Sequence, residues 1–278
     1  MKMDTKVILV TGASSGIGRE AALQLAAKGH KVYGAARREN QIPAPVTGLH
    51  MDITDEASVD AVLKSILEKE GRLDVLVNNA GYGFFGPLEH VPLEEGRKQL
   101  EVNLFGLVSL TRKVIPLMRE QGGGRIVNIS SVAGRMCFVF GGWYNISKYA
   151  VEAFSDVLRM EVKPFGVDVA IVEPGWAQTE WGVIAAEHLR ASAKGTLYEE
   201  LAESEARLLG YSFGHMKFPS PDKVAKAVVK ASLSRRPRLR YHPGGGGVAL
   251  PLLHKLLPAR WWDALLNKAL RLSTKIPA

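Results

Sequence analysis

The chain has 278 residues, with 36 lysines and arginines against 28 aspartates and glutamates, which gives a net charge of +8. This length favours one large domain with a well-buried core over two domains. The longest apolar runs, such as Val7 to Val10, fall far short of the roughly 18 to 20 residues that a membrane span needs. No signal-like apolar stretch follows Met1, so we expect a soluble, intracellular protein in the cytoplasm.

Composition also argues against metal and nucleic-acid sites. The lone Cys137 cannot form an internal disulfide, and the seven histidines show no metal-ligand spacing. Residues 231–278 contain nine lysines and arginines and one acid, Asp263, so they carry the whole excess of +8. The first 230 residues are neutral. We therefore expect no metal, and no nucleic acid bound by the main body.

Short β-branched runs alternate with helical stretches along most of the chain. The predicted strands are Lys6–Val10, Lys31–Ala35, Thr47–Met51, Val75–Asn78, Arg125–Ile129, Asp168–Val172 and Leu239–Tyr241. Apolar residues at helical spacing fill the segments between most of them. This alternation predicts an α/β fold with a doubly wound parallel sheet of the Rossmann type.

The domain organisation follows from where this rhythm breaks. We expect a catalytic domain over residues 1–245, in which a helical insert at about 182–218 acts as a substrate lid. Gly244–Gly247 is expected to hinge a basic, amphipathic helical extension, residues 246–278, onto the domain.

A glycine-rich turn directly follows the first strand and leads into a helix, in Thr11-Gly12-Ala13-Ser14-Ser15-Gly16-Ile17-Gly18. Glycines allow the backbone to approach a pyrophosphate, whose charge is met by N–H groups and the positive end of the helix. This arrangement predicts a dinucleotide site. Gly81–Gly86 also fits a G-x-G-x-x-G pattern, but Pro87 follows and no helix opens there, so we interpret it as a loop lining the substrate cleft.

The second strand indicates which dinucleotide is bound. Sites that prefer NAD usually carry an acid at the end of this strand, which would repel a 2′-phosphate. Here Arg37 and Arg38 stand at that position instead. Guanidinium groups bind phosphate through charge-assisted hydrogen bonds, so the sequence favours NADP(H), with Arg37 as the main contact.

Tyr144 and Lys148 lie four residues apart, which is about one helical turn, so both project from one face of a predicted helix. Upstream, Ser130 and Ser131 end a strand, where a parallel sheet delivers functional groups to the ligand crevice. Asn103 lies in the crossover helix before that strand.

With Asn78-Asn79-Ala80-Gly81 and Pro174-Gly175, these motifs resemble the short-chain dehydrogenase/reductase family over about residues 5–180. The glycine loop is similar to that family's T-G-x-x-x-G-x-G. In general appearance the chain is similar to the hydroxysteroid and retinol dehydrogenase-like members. Ser131, thirteen residues before Tyr144, has the common family spacing, which Ser130 lacks.

The resemblance implies roles for these residues. Tyr144 would be the acid/base, its pKa lowered by Lys148 and by the coenzyme's charge. Ser131 would bind the substrate oxygen, Lys148 the nicotinamide ribose, and Asn103 a water that relays protons. Asp52 would accept from the adenine amino group. The implied coenzyme contacts are Gly12, Ser14, Ser15, Gly16, Ile17, Gly18, Arg37, Arg38, Asp52, Ile53, Asn79, Ala80, Gly81, Tyr144, Lys148, Pro174, Gly175, Ala177 and Thr179.

Aromatic residues surround these motifs and indicate an apolar small-molecule substrate carrying a hydroxyl or carbonyl group. They are Phe84, Phe85, Phe138, Phe140, Trp143, Trp176 and Trp181. Near the C-terminus, the segment Pro258–Ser273 places one apolar stripe on a basic helix: Trp261, Trp262, Leu265, Leu266, Ala269 and Leu270. We expect this stripe to pack on its own domain or on a second subunit of a dimer or tetramer, with weak membrane contact as the alternative.

The function predicted from these motifs is an NADP(H)-dependent oxidoreductase that interconverts a hydroxyl and a carbonyl. A non-catalytic NADP(H)-sensing protein on the same fold is an alternative. The intact set of Asn103, Ser131, Tyr144 and Lys148 argues against it, because a sensor needs only the nucleotide half. An epimerase or dehydratase acting on sugar nucleotides is a third reading, but its glycine spacing and C-terminal domain usually differ.

Overall fold

Parallel strands form the centre of the molecule. The computed structural model describes residues 4–178, 181–215 and 218–273, and over these residues seven strands form one parallel sheet in the order β3-β2-β1-β4-β5-β6-β7. The strands are β1 (Val7–Thr11), β2 (Lys31–Ala36), β3 (Thr47–His50), β4 (Val75–Asn78), β5 (Gly124–Ile129), β6 (Val167–Val172) and β7 (Arg240–Tyr241). The order reverses between β1 and β4, which opens a crevice at the carboxyl ends of these strands.

Helices cover both faces of this sheet. One face carries α1 (Gly16–Ala27) and α8 (Pro221–Leu233), and the other carries α2 (Glu56–Glu70), α4 (Leu107–Glu120) and α5 (Gly142–Val162). Side chains alternate along β1, so that Leu9 packs towards the second group and Ile8 towards the first. The doubly wound α/β fold predicted from the sequence is confirmed.

The crossover from β4 to β5 contains a local change of helix geometry. Here α3 (Leu93–Leu100) continues into a π-helical turn, Glu101–Gly106, before α4 begins. Such turns are rare and often lie at functional sites. Asn103 lies within it.

The expected insert consists of two helices packed against each other, α6 (Trp181–Ala193) and α7 (Glu199–His215). Their buried side chains, such as Leu189 and Ala206, share one apolar cluster with Tyr144. The insert therefore borders the predicted site, and its movement as a lid stays a prediction.

The glycine run Gly244–Gly247, which we expected to hinge the C-terminal extension onto the domain, is hydrogen-bonded to the segment after β6. The Gly175 N–H donates to the Pro243 carbonyl at 2.8 Å, and Trp176 and Gly245 exchange two backbone hydrogen bonds of 3.1 Å. A Cβ at Gly175 would lie 2.1 Å from the Gly245 oxygen, so this close backbone approach needs glycine. The run is a hydrogen-bonded wall beside the segment after β6.

The C-terminal extension forms α9 (Ala249–Leu256) and α10 (Ala259–Ser273), and α10 packs on α7. Of the predicted single stripe, Trp262 and Leu270 are buried, whereas Trp261 and Leu265 are exposed. Successive residues of an α-helix are rotated by about 100° around its axis. A wide apolar stripe therefore spans more of the helix surface than one neighbouring helix can cover, and residues at its edges stay exposed. None of the described helices is long and apolar enough to cross a membrane.

Candidate active site

The loop after β1 presents a helix N-terminus to the crevice. Helix α1 begins at Gly16, and the Ser15 side chain forms no capping hydrogen bond. The first N–H groups of a helix lack intrahelical partners, which makes this end a site for an anion. Gly16 has a φ of +55°, and a Cβ there would meet no atom within 4 Å, so open space lies in front of the loop.

Asn79 joins this loop to the end of β4. Its side-chain amide donates to the Thr11 and Gly12 carbonyls at 2.9 and 3.2 Å, while the Thr11 hydroxyl accepts from the Asn79 and Ala80 N–H groups at 2.9 Å. A Cβ at Gly18 would lie 2.3 Å from the Asn79 amide nitrogen. Only glycine allows this contact, which aligns the glycine loop with Asn79, Ala80 and Gly81 across the crevice.

The residues expected around the adenosine half lie at one edge of the sheet. Arg37 and Arg38 are exposed directly after β2. Asp52 follows β3, and its carboxylate accepts from the Thr54 N–H and hydroxyl, which lowers the pKa of Asp52. The positive charge of Arg37 also lowers this pKa, which places Arg37 near Asp52. The neighbouring Ile53 is buried. This charge pattern fits a phosphorylated nucleotide.

Tyr144 and Lys148 lie in the first two turns of α5, and both are buried. The Lys148 ammonium is 5.8 Å from the centre of the Tyr144 ring and donates to the Ile129 carbonyl at 2.9 Å. Ser131, just after β5, accepts from the Ala133 N–H at 3.1 Å, and its side chain lies near enough to the Tyr144 phenol to lower the pKa of Tyr144. The neighbouring Ser130, the other candidate for this role, is buried. The structure therefore brings Ser131, Tyr144 and Lys148 together.

The protein itself shifts the pKa of Tyr144 in the direction opposite to our expectation, and it also shifts the pKa of Lys148. Burial raises the pKa of Tyr144 to about 12, and the nearby Ser131 side chain only partly offsets this rise. Burial also lowers the pKa of Lys148 to about 8. Burial disfavours the charged form of both groups, and Lys148 does not lower the pKa of Tyr144 in the protein by itself, while the expected effect of the coenzyme's charge stays a prediction.

Asn103 holds the loop opposite α5. Its amide nitrogen donates to the Tyr82 carbonyl at 2.8 Å and to the Ser147 hydroxyl at 3.1 Å, and its oxygen accepts from the Tyr82 N–H at 3.0 Å. These bonds join the π-helical turn, the 79–86 loop and α5. The side chain thus has a positioning role, and its binding of a water stays a prediction.

A buried charge network, which the sequence analysis missed, lies behind Lys148. Glu152 follows Lys148 by one helical turn, and its negative charge raises the pKa of Lys148 against the effect of burial. Arg240 donates to Glu152 at 3.0 Å and forms an ion pair with Glu173 at 2.8 Å. Glu173, which is fully buried, also contacts His242 at 3.0 Å. The four-residue spacing from Lys148 to Glu152 was the available signal.

Aromatic rings form a wall over Tyr144. The Trp181 ring lies 5.2 Å from Tyr144 and 5.4 Å from Phe85 between ring centres. Next to these rings, the centre of the Trp176 ring lies 6.2 Å from that of Phe138 and 6.1 Å from that of Phe218. Phe140 meets Tyr198 and also packs against the cluster that contains Tyr144, whereas Phe84 stacks on His188 and Trp143 packs against Gly96 of α3. Trp143 is therefore a packing residue and was wrongly included.

The segment after β6 continues this wall. The Pro174 carbonyl accepts from the Val132 N–H at 3.0 Å, and Gly175 is held by the glycine run. Ala177 is buried, so the small residue is accommodated at this position. Thr179, another predicted coenzyme contact, lies outside the described residues.

The family of this chain follows from comparison with known proteins. A family model described as short chain dehydrogenase matches residues 6–188, well over half of the sequence. The chain belongs to the short-chain dehydrogenase family. As a member it is an oxidoreductase on a fold that binds a nicotinamide coenzyme.

Curated relatives match this dehydrogenase over almost its whole length. A probable short-chain type dehydrogenase/reductase of Helicobacter pylori is 38% identical and covers 92% of this chain and 95% of its own. An NADPH-dependent 3-dehydrocapnine reductase of Ornithobacterium rhinotracheale is 35% identical, with 96% and 98% covered. Retinol dehydrogenase 5 of Mus musculus is 35% identical, with 94% and 87% covered.

Solved structures agree with the fold of this dehydrogenase. A short-chain dehydrogenase from Streptomyces avermitilis superposes with a TM-score of 0.77 at 35% identity, over 98% of both chains. A second, from Burkholderia phymatum in complex with NAD, gives 0.78 at 27% identity, over 92% of this chain and 94% of that one.

The first prediction concerns the phenol. We expect Tyr144→Phe to lower turnover by roughly a hundred- to ten-thousandfold, because the phenol is the group positioned to transfer a proton. Coenzyme affinity, measured by fluorescence titration, should change no more than a few-fold. Tyr149→Phe, on the same helix but partly exposed, is the control. Full activity of Tyr144→Phe would contradict the assignment.

The second prediction concerns the charge behind Lys148. The anionic Glu152 raises the pKa of Lys148, so Glu152→Gln should lower this pKa further below about 8. The ammonium form is then lost at lower pH, and the alkaline limb of the kcat/KM profile should move to lower pH. Glu161→Gln, exposed on the same helix, should leave the profile unchanged. An unmoved limb in Glu152→Gln would show that the two groups are not coupled.

Proposed function

We propose that this protein is an NADP(H)-dependent oxidoreductase that interconverts a hydroxyl and a carbonyl on an apolar small molecule, with Asn103, Ser131, Tyr144 and Lys148 as its site. The observation that carries the proposal is the grouping of Ser131, the Tyr144 phenol and the Lys148 ammonium beneath an aromatic wall. We further propose that it acts in the cytoplasm, because NADP(H) is an intracellular coenzyme.

The reaction transfers one hydride at the substrate carbon and one proton at the substrate oxygen. The nicotinamide coenzyme supplies or removes a hydride at the substrate carbon. Tyr144 gives its proton to the carbonyl oxygen, while Ser131 donates a hydrogen bond to that oxygen and stabilises its developing charge. A pKa of about 12 keeps Tyr144 protonated at neutral pH, which is the form that reduction of a carbonyl needs.

The choice of NADP(H) rests on the end of β2. Ala36 is followed by Arg37 and Arg38, so no carboxylate stands where it would repel a 2′-phosphate. Both guanidinium groups are exposed towards solvent and free to fold onto a phosphate. The relative from Ornithobacterium rhinotracheale depends on NADPH, while the related Burkholderia structure holds NAD. Relatives thus differ, and the arginines support NADPH here.

The substrate class rests on the wall over Tyr144. Phe85 and Trp181 flank the phenol, and the buried residues of α6 and α7 in this cluster are alanine and leucine. Such a surface suits an apolar substrate with one polar group to orient it. One relative is named for 3-dehydrocapnine and another for retinol.

The proposed function is tested with a panel of ketones and aldehydes graded by size and polarity, using NADPH and NADH. We expect oxidation of NADPH that increases with the apolar character of the carbonyl compound. The sensing protein would be favoured if NADPH binds but no panel member is turned over, and if Tyr144→Phe leaves NADPH binding unchanged.

A third prediction isolates the 2′-phosphate contact. We expect Arg37→Ala to weaken NADPH binding by roughly 30- to 100-fold, because one charge-assisted contact is lost, and to leave NADH binding nearly unchanged. Arg97→Ala, an exposed arginine on α3, is the matched control. Equal weakening of both coenzymes would mean that Arg37 has another role.

We also propose that the protein forms a homo-oligomer through α5. Apolar side chains recur along its outer face at Ile146, Tyr149, Val157 and Met160, and Phe105 is exposed as well. A monomer gains nothing from such a stripe, whereas two copies related by a twofold axis bury it together. Ala153, small and exposed at the middle of the stripe, allows close approach of two helices.

The fourth prediction tests this contact by solution mass. Val157→Glu with Met160→Glu should dissociate the oligomer, because each copy would place two carboxylates against the partner's apolar stripe. Leu93→Glu, at an exposed apolar position on α3, should leave the mass unchanged. Light scattering measures both, and an intact oligomer in the double variant would move the interface elsewhere.

A further inference from the structure

Exposed apolar side chains recur at one-turn spacing on each of the two C-terminal helices, α9 and α10. Leu252 and Leu256 of α9 are 53% and 71% exposed, and Trp261 and Leu265 of α10 are 67% and 44% exposed. We call these four side chains, with the basic Lys255, Arg260 and Lys268, the C-terminal face. Exposure of large apolar side chains in one place usually marks a binding surface.

The inner sides of both helices are already occupied. Pro251 of α9 and Trp262 of α10 are buried, and the His254 and Trp262 rings meet at 5.0 Å between centres. Helices α9 and α10 contact each other through His254 and Trp262, and α10 packs on α7. The inner sides of both helices are therefore held in place, and their outer sides stay exposed. The C-terminal face is therefore available to a separate partner.

The charge of this face identifies the partner. Residues 246–278, which include both helices, contain five lysines and arginines and one acid, Asp263. Lys255, Arg260 and Lys268 are exposed, and none of them forms an ion pair with the described residues. The partner must combine negative charge with an apolar layer beneath it.

A second copy of the chain does not meet this requirement. In a twofold contact the same patch faces itself, so three unpaired cations of one copy would oppose three of the other. Nucleic acid offers phosphates but no layer into which leucine and tryptophan could insert. A bilayer with anionic headgroups offers both, since tryptophan favours the headgroup region and leucine the acyl boundary.

We propose that the C-terminal face binds the surface of an anionic lipid bilayer. Trp261, Leu256, Leu252 and Leu265 enter the boundary between headgroups and acyl chains, and Lys255, Arg260 and Lys268 contact the anionic headgroups. The helices lie in the plane of the surface and do not span it.

This position also relates the bilayer to the active site, a point that rests on the proposed function. Helix α10 contacts α7, whose inner residues Ala202 and Ala206 belong to the apolar cluster around Tyr144. One helical layer thus separates the C-terminal face from the crevice. An apolar substrate dissolved in the bilayer would be close to the site without crossing water.

The test uses the full chain and co-sedimentation with two kinds of vesicle, phosphatidylcholine alone and phosphatidylcholine mixed with phosphatidylglycerol. We expect the protein to bind the mixed vesicles and to be released by salt, because salt screens charge attraction at a surface. No binding to mixed vesicles at low salt would overturn the proposal.

Two variants separate the contributions of charge and apolar contact. Lys255→Gln, Arg260→Gln and Lys268→Gln together should weaken vesicle binding by roughly a hundredfold, at about fivefold for each basic residue. Leu256→Ser with Trp261→Ser should also weaken it strongly. The matched control, Lys28→Gln with Lys64→Gln and Arg97→Gln, removes the same charge from other exposed positions and should bind almost normally. Equal loss in the control would overturn the proposal, since net charge alone would explain the binding.

A second readout keeps the test independent of folding and of activity. Lipids brominated in their acyl chains should quench tryptophan fluorescence of the parent protein, and Trp261→Phe should lose most of this quenching while Trp143→Phe keeps it. Turnover of a small water-soluble ketone should stay unchanged in all the variants of the C-terminal face. A change of solution mass in these variants, with unchanged vesicle binding, would overturn the proposal and make the face a contact between copies. Failure of the proposed function would instead show as absent turnover with vesicle binding intact.

Discussion

The hydrogen bond from the Lys148 ammonium to the Ile129 carbonyl, 2.9 Å long, holds the start of α5 against the end of β5. A second buried bond, from the Asn128 amide to the Ser155 hydroxyl at 2.8 Å, holds the same helix two turns later. Asn128 in turn accepts from Asn78 at the end of β4. Each buried polar group depends on its partner, because an unpaired one would be costly. The register of α5 on the sheet, and with it the position of Tyr144, depends on these bonds.

Burial also shifts the pKa values of the two titratable residues of the site, Tyr144 and Lys148. The wall that excludes water raises the pKa of Tyr144 and lowers that of Lys148, so the protein favours the neutral form of both groups. Glu152 counteracts this for Lys148, and Arg240 joins Glu152 to the fully buried Glu173. A buried carboxylate is tolerated when it is paired, which explains why a second layer of charge stands behind a site of only a few polar groups.

The C-terminal part of the chain has a double role in this arrangement. The glycine run closes the wall beside Trp176 through backbone hydrogen bonds, and α10 supports α7 from outside. The extension thus contacts both the wall and the lid helices of the active site. Its outer side carries the exposed Lys255, Arg260 and Lys268, so the proposed contact with an anionic surface would involve α10, the same helix that supports the lid.

The sequence by itself determined the elements and most of the site. Strand and helix periodicity, the glycine loop and the one-turn spacing from Tyr144 to Lys148 are local patterns, and local patterns are readable because backbone geometry fixes where neighbouring side chains point. Only the tertiary structure decided which side chains of distant segments contact each other and which are buried. Arg240 and Glu152 pair across 88 residues, Trp143 turns away to Gly96, and Trp262 is buried beside an exposed Trp261. No spacing encodes such contacts, because they depend on how whole helices pack on the sheet, and the same packing sets the burial that shifts the pKa of Tyr144 upward.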